Sequence, residues 1–317
     1  MRETRSIMHQ IIDCHSHLGD IFAYEKNVVY KGDVPIDPSQ HDPFASYSEG
    51  GFKGAFLDPD NPEQVKNVID MTAAVSYANT LSKLSRDLDE SHVDYVCLYP
   101  VAPFITFEDY RVAALVEPRI IPFTSADWRI EDGRAIGSQL LADAAQGARG
   151  LKIHPILQNV SLRDPRVEEA VALWAETGLP VVSHCGVNSY YPDDSPEAAT
   201  QNPAYGNLED FMYLVERLPQ VKFIAAHAGG LTGGEAETLA AHLGGAENLW
   251  VDTTFRSAEE MRMLVELFGE DRVLFGVDRP FGGTRAAVKT AFEAFGEGTE
   301  LSEKVMYANM AKLIGMA

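Results

Sequence analysis

Histidine and aspartate residues stand at the ends of apolar runs in this sequence. Side chains of those types, brought to one point, hold a divalent metal ion and move protons. The densest set is Asp13-Cys14-His15-Ser16-His17. Read as an extended strand, its period of two turns Asp13, His15 and His17 to one side and Cys14 and Ser16 to the other, so two imidazoles reach one metal. Four further apolar runs end in Lys152-Ile153-His154, Ser183-His184-Cys185, Ala226-His227-Ala228 and Val277-Asp278-Arg279. A lone histidine ending a strand is more often a satisfied polar residue than a ligand. Five such ends together call for a fold that gathers strand ends at one pocket. The other histidines, His9, His41, His92 and His242, fall in loops or at helix edges and read as surface residues.

The elements that would position these side chains alternate along the chain. Short β-branched runs predict strands over Ile11–His15, Val93–Leu98, Ile120–Ser125, Gly150–His154, Pro180–Cys185, Lys222–His227, Leu249–Thr253 and Val273–Val277. Between them lie segments with helical period and their own punctuation. Asp164 caps and Pro165 opens one with the apolar stripe Val167, Ala170, Val171 and Trp174, and Gly178 ends it. Asn207 starts another, Val288 to Phe295 marks an eighth stopped by Gly296, and Leu301–Ile314 adds one more. Eight parallel βα units in one domain spanning 1–317 fit an α/β fold of the (β/α)8 TIM barrel type, whose sites form at the C-terminal ends of the strands. Residues 19–61, rich in Gly, Pro, Asp and aromatics, break the rhythm. As an insert after the first strand they are expected to form a lid over the barrel mouth, before a helix capped by Asn61.

Composition narrows the partners. The 317 residues carry a formal charge of −21, which repels phosphate backbones and anionic headgroups, so neither nucleic acid nor a membrane is expected as partner. Cys14, Cys97 and Cys185 are odd in number and sit in apolar runs, as in a reducing cytoplasm. No run reads as a signal peptide or a membrane span, so a cytoplasmic protein with a small-molecule substrate is expected, and a homodimer stays open.

The pieces IIDCHSHLG, GARGLKIHP, LPVVSHCG, VKFIAAHAGG, VLFGVDRP and VMYANMAKLIG run across nearly the whole chain. In this order they resemble the amidohydrolase superfamily, within it the amidohydrolase-related branch that includes aminocarboxymuconate-semialdehyde decarboxylase. The resemblance implies that His15, His17, His184 and Asp278 bind one divalent ion, zinc by expectation, and leave a position open for water. It makes Asp278 the acceptor of the water proton and His227 a hydrogen-bonding acid or base. His154 would sit behind a ligand and orient it. Lys152 is expected to stay a cation near the substrate; two metals bridged by a carboxylated Lys152 is the alternative.

The activity implied is hydrolysis by metal-activated water of a small cyclic or carboxylate-bearing substrate. The alternatives are a non-oxidative decarboxylase or hydratase on the same metal site and, from a different class, a metal-binding pseudoenzyme. Loop position after the strands makes Trp128, Arg129, Tyr190, Arg256 and Arg279 candidates for substrate binding, since guanidinium groups grip carboxylates.

Overall fold

The computed structural model describes residues 10–22, 27–35, 58 and 61–316. Its strands are β1 (Ile12–Ser16), β2 (Tyr95–Leu98), β3 (Ile120–Pro122), β4 (Thr124–Ser125), β5 (Leu151–Ile153), β6 (Val181–Ser183), β7 (Phe223–Ala225), β8 (Leu249–Asp252) and β9 (Val273–Leu274). All pairings are parallel, in one run β1-β2-β3 and a second run from β4 to β9.

The third strand, expected to be continuous, is two pieces. Phe123 N still donates to Leu98 O at 3.1 Å, whereas the next amide, Thr124 N, donates to Gly150 O at 2.8 Å. The segment thus hands its hydrogen bonds from one neighbour to the other, as tilted, staggered strands of a barrel require. The eighth strand is shorter than expected, but its continuation closes the ring. Cys14 N donates to Phe275 O at 2.8 Å, Asp278 N to His15 O at 2.6 Å and His17 N to Arg279 O at 2.8 Å. The architecture is the (β/α)8 barrel read from the sequence.

Around the ring lie α1 (Pro62–Tyr77), α2 (Leu81–Ser91), α3 (Phe107–Val116), α4 (Gly133–Ala145), α5 (Pro165–Trp174), α6 (Leu208–Arg217), α7 (Glu235–Leu243), α8 (Ala258–Phe268) and α9 (Thr284–Phe295). Their starts follow local chemistry. Asn61 accepts from the amides of Glu63 and Gln64 with Pro62 at the first position, Asp164 accepts from Arg166 N, and Asn207 accepts from Asp210 N. Each such cap satisfies an amide the helix cannot, a contribution of about 1 kcal/mol. The expected stripe Val167, Ala170, Val171 and Trp174 is the buried face of α5. Gly178 ends the following turn in the left-handed region, at φ 66°.

The final helix runs as α10 (Glu300–Glu303), a π-helical stretch over Lys304–Ala308 and α11 (Asn309–Leu313). Met310, Leu313 and Ile314 pack with Ile12, Cys14, Cys97, Tyr99, Phe123, Val182, Ile224 and Leu274 in the barrel interior. Asn309 Nδ2 donates to Glu270 O and Val273 O, which pins this helix across the N-terminal side of the ring. The site is therefore left to the opposite end. No helix among the described residues is long and apolar enough to cross a membrane, and the three cysteines are buried and unpaired.

Candidate metal centre and active site

The first strand carries its histidines to the pocket by a local irregularity. The register between β1 and β2 shifts between Asp13 and Ser16, so the strict alternation expected for Asp13, His15 and His17 fails. Cys14 packs into the interior with Cys97 and Tyr99, while His15 and His17 both line the cavity at the barrel mouth. Asp13 instead turns to the barrel wall. Its carboxylate accepts from Ser16 Oγ at 2.5 Å and from the amides of His15 and Val277, both at 3.0 Å. Burial pushes this carboxyl up to about 7, against the pull of those donors.

Hydrogen bonds on the outer side fix what each imidazole shows to the cavity. His17 Nδ1 is 2.7 Å from Tyr99 O, His15 Nδ1 is 2.8 Å from Asp252 Oδ2, and His184 Nε2 is 3.1 Å from Gly186 O. Carbonyl and carboxylate oxygens only accept, so these nitrogens carry the hydrogens and the opposite ones are bare. His227 Nδ1 lies 2.7 Å from Thr254 Oγ1, and that hydroxyl donates to Asp252 Oδ1 at 2.7 Å. His227 Nε2 is then bare as well, and it faces His184 Nδ1 at 3.2 Å.

Asp278 completes the arrangement. Its Oδ1 receives no hydrogen bond from the described residues and stands 3.3 Å from His17 Nε2 and 3.5 Å from His15 Nε2; Oδ2 is 3.9 Å from His227 Nε2. The ligand atoms of His15, His17 and Asp278 lie within 4.8 Å of one another, and so do those of His15, His227 and Asp252. Bare nitrogens and an orphaned carboxylate oxygen repel each other unless a cation sits among them. The donor set of imidazoles and one carboxylate fits a divalent metal ion. Burial lowers His17, His227 and His154 below the ordinary histidine range and His184 to about 3, which keeps these rings neutral. Burial would raise Asp278, but its interactions with the His15 and His17 imidazoles and with Lys152 hold it below the usual carboxylate value.

The sequence profile of the family described as Amidohydrolase matches residues 12–316. The chain belongs to the amidohydrolase family. That membership and the donor set make it a metal-dependent enzyme. Solved structures share the fold over nearly the whole amidohydrolase. An uncharacterized TIM-barrel protein from Bordetella bronchiseptica is 15% identical, with 96% of this chain and 98% of that one covered and a TM-score of 0.66. A 5-carboxyvanillate decarboxylase from Novosphingobium aromaticivorans, complexed with manganese and 4-hydroxy-3-methoxy-5-nitrobenzoic acid, is 14% identical over 97% and 96%, with a TM-score of 0.63. A protein described as a probable 2-pyrone-4,6-dicarboxylic acid hydrolase from Acinetobacter baumannii, with citric acid bound, is 13% identical over 96% and 99%, with a TM-score of 0.58. Comparison with curated protein sequences returns no significant match.

Within this amidohydrolase the remaining candidate residues divide. His154 stacks on His184 with centroids 4.1 Å apart and planes 6° apart, and Tyr190 Oη lies 3.2 Å from His184 Nε2. Both line the cavity, together with Phe22, Asn188, Leu231, Phe255 and Phe281. Lys152 is fully buried beneath the site, with Nζ unbonded and 5.2 Å from the Tyr99 ring centre. Trp128 is buried away from the cavity lining, and Arg129 pairs with Asp127 at 2.6 Å on the surface.

The two buried arginines serve the framework. Arg256 Nη2 donates to His227 O and Gly230 O, and Arg279 donates to Asp87 Oδ2 at 2.8 Å and to Asn79 Oδ1. Among the aromatic residues of the insert, Phe22 is in the wall; Tyr24, Phe52 and Phe56 lie outside the described residues. Sequence reasoning passed over Asp252 and Thr254. Asp252 ends an apolar strand like the other site residues, so the same rule would have found it.

Proposed function

We propose that this amidohydrolase is a mononuclear hydrolase of a small cyclic or carboxylate-bearing substrate, a lactone or an amide. Zinc is the ion of this reading, held by His15, His17, His184 and Asp278. The observation that carries it is the convergence of bare imidazole nitrogens on the unbonded Oδ1 of Asp278. A divalent ion held there supplies Lewis acidity, polarising a substrate oxygen and lowering the pKa of water to roughly 7. Asp278, with one oxygen toward His17 and the other toward His227, takes up the proton of the attacking water. His227 Nε2 accepts a hydrogen bond from that water or from a substrate hydroxyl. His154 keeps the His184 ring in plane by stacking on it. Lys152 contributes positive charge from below without bridging a second ion.

The reading includes residues 19–61 as a cover over the mouth. Ile21 and Phe22 wall a cavity of only about 40 Å³. Residues 23–26, 36–57 and 59–60 of this stretch lie outside the described residues.

A non-oxidative decarboxylase is the second reading. It is favoured by the aromatic lining of Phe22, Tyr190, Phe255 and Phe281, which suits a planar aromatic acid, and by similarity to a decarboxylase. One experiment separates the two. Protein stripped with a chelator is reloaded with zinc or manganese and offered lactones, esters, amides and hydroxybenzoates while acid and CO2 release are followed. Acid release without CO2 supports hydrolysis, and CO2 release supports the second reading. Failure of every metal form on both panels refutes both.

A further inference from the structure

Asp252 has no step in the proposed reaction, yet its carboxylate is bonded to two of the site's histidines. It is fully buried at the end of β8. Its Oδ2 takes His15 Nδ1 at 2.8 Å, while Oδ1 accepts from His227 N at 2.9 Å, Thr254 N at 3.1 Å and Thr254 Oγ1 at 2.7 Å. A hydroxyl has one hydrogen, and the carboxylate is the stronger acceptor, so Thr254 has only lone pairs left for His227 Nδ1. We propose that Asp252, directly at His15 and through Thr254 at His227, fixes the tautomers of both rings, so that His227 works as an acceptor and never as a neutral donor. Asp252 and Thr254 are positioning residues in this scheme. The catalytic part of the inference rests on the hydrolase reading, whereas the tautomers do not.

The backbone shows how firmly His227 is placed. His227 and Ala228 both adopt left-handed conformations, at φ 56° and 46°, which are strained for non-glycine residues and persist only if their surroundings over-determine them. Three groups do so here. Asp252 holds the His227 amide, Arg256 holds its carbonyl and Thr254 holds its ring. Packing behind the network is equally tight. A Cβ on Gly276 would come within 3.0 Å of Thr254 Cγ2, 3.1 Å of His15 Cβ and 3.4 Å of Asp252 Cβ, so only glycine lets the wall approach this closely.

The test reads tautomers directly. In protein labelled with 15N-histidine, two-bond 1H–15N correlation spectra at neutral pH are expected to show His15 and His227 as Nδ1–H, with and without zinc. Thr254→Val, which keeps the shape and removes the hydroxyl, should release His227 toward Nε2–H and leave His15 unchanged. Zinc affinity by chelator competition should then stay within about threefold while turnover falls roughly 10–100-fold. Thr254→Ser should restore both signals. Asp252→Asn should disturb both rings and weaken zinc by roughly 10–100-fold. A wild-type His227 found as Nε2–H, or a Thr254→Val protein with an unchanged His227 signal, overturns the proposal. If Asp252→Asn does not fold, the Thr254 pair still decides. If no substrate is turned over, the hydrolase reading fails while the tautomer result stands.

Discussion

His17 Nε2 stands 3.3 Å from Asp278 Oδ1, and neither atom has a hydrogen to give the other. The His17 hydrogen is committed to Tyr99 O on the far side of the ring, and Asp278 Oδ1 receives none from the described residues. Two acceptors held this close in a buried site are stable only with a cation between them. Metal binding and the folding of this end of the barrel are therefore expected to be coupled.

In the proposed reading, Asp278→Asn removes a charged ligand and the proton acceptor together. Turnover should fall by at least about 10³-fold and zinc should be held more weakly, because Lewis-acid placement and base assistance are both lost. Metal content and rate are to be read from the same preparation. A variant that keeps full zinc and loses less than about tenfold in rate would remove Asp278 from both roles.

His227→Ala should behave differently. If Nε2 only accepts a hydrogen bond from water or substrate, zinc content stays near the wild-type level while turnover drops by roughly 10²–10⁴-fold. His227 also lies within 4.8 Å of the ligand atoms of His15 and Asp252. Loss of zinc as complete as in Asp278→Asn would therefore make His227 a ligand and overturn the assignment.

These residues differ in how legible they were from sequence. The barrel and its strand-end chemistry could be read because apolar strands have period two, helices have caps, and a polar residue ending an apolar strand stands out. The side to which each residue of β1 points could not, because the shift between Asp13 and Ser16 breaks the period by one place and sends Asp13 into the wall. Arginines read as substrate grips proved to be bonded to backbone carbonyls and to Asp87, partners supplied by segments far apart in the chain. Thr254 carried no signal at all, since its role comes from standing between Asp252 and His227 in three dimensions.

Lys152 gives a prediction in pH. Burial lowers it from its ordinary 10.5 to about 8. Between those values the unfolded chain binds the extra proton, so the stability of the metal-free protein should rise with pH from about 8 to 10.5, by on the order of 3 kcal/mol. Below about 8 both states carry the charge and its cost is fully present. Lys152→Met should lack this rise and be more stable than wild type at neutral pH, as measured by denaturant unfolding across the window. Two zinc equivalents per chain with a carbamate on Lys152 would contradict both this prediction and the single-metal assignment.

Tyr190 and Arg129 test where substrate contact ends. Tyr190 lines the cavity with its hydroxyl against His184 Nε2, but that nitrogen already has Gly186 O as an acceptor, so the ring should keep its orientation without the tyrosine hydroxyl. Tyr190→Phe is therefore expected to keep its zinc and to show its loss in KM, by roughly 3–10-fold, as for a contact made equally in ground and transition states. Arg129 is spent on Asp127, and its side chain is 72% exposed. Arg129→Ala should leave kcat and KM within about twofold of wild type. A large KM increase in Arg129→Ala with none in Tyr190→Phe would mean that the guanidinium swings into the site when substrate binds, and that the wall containing Phe22 is not where substrate is recognised.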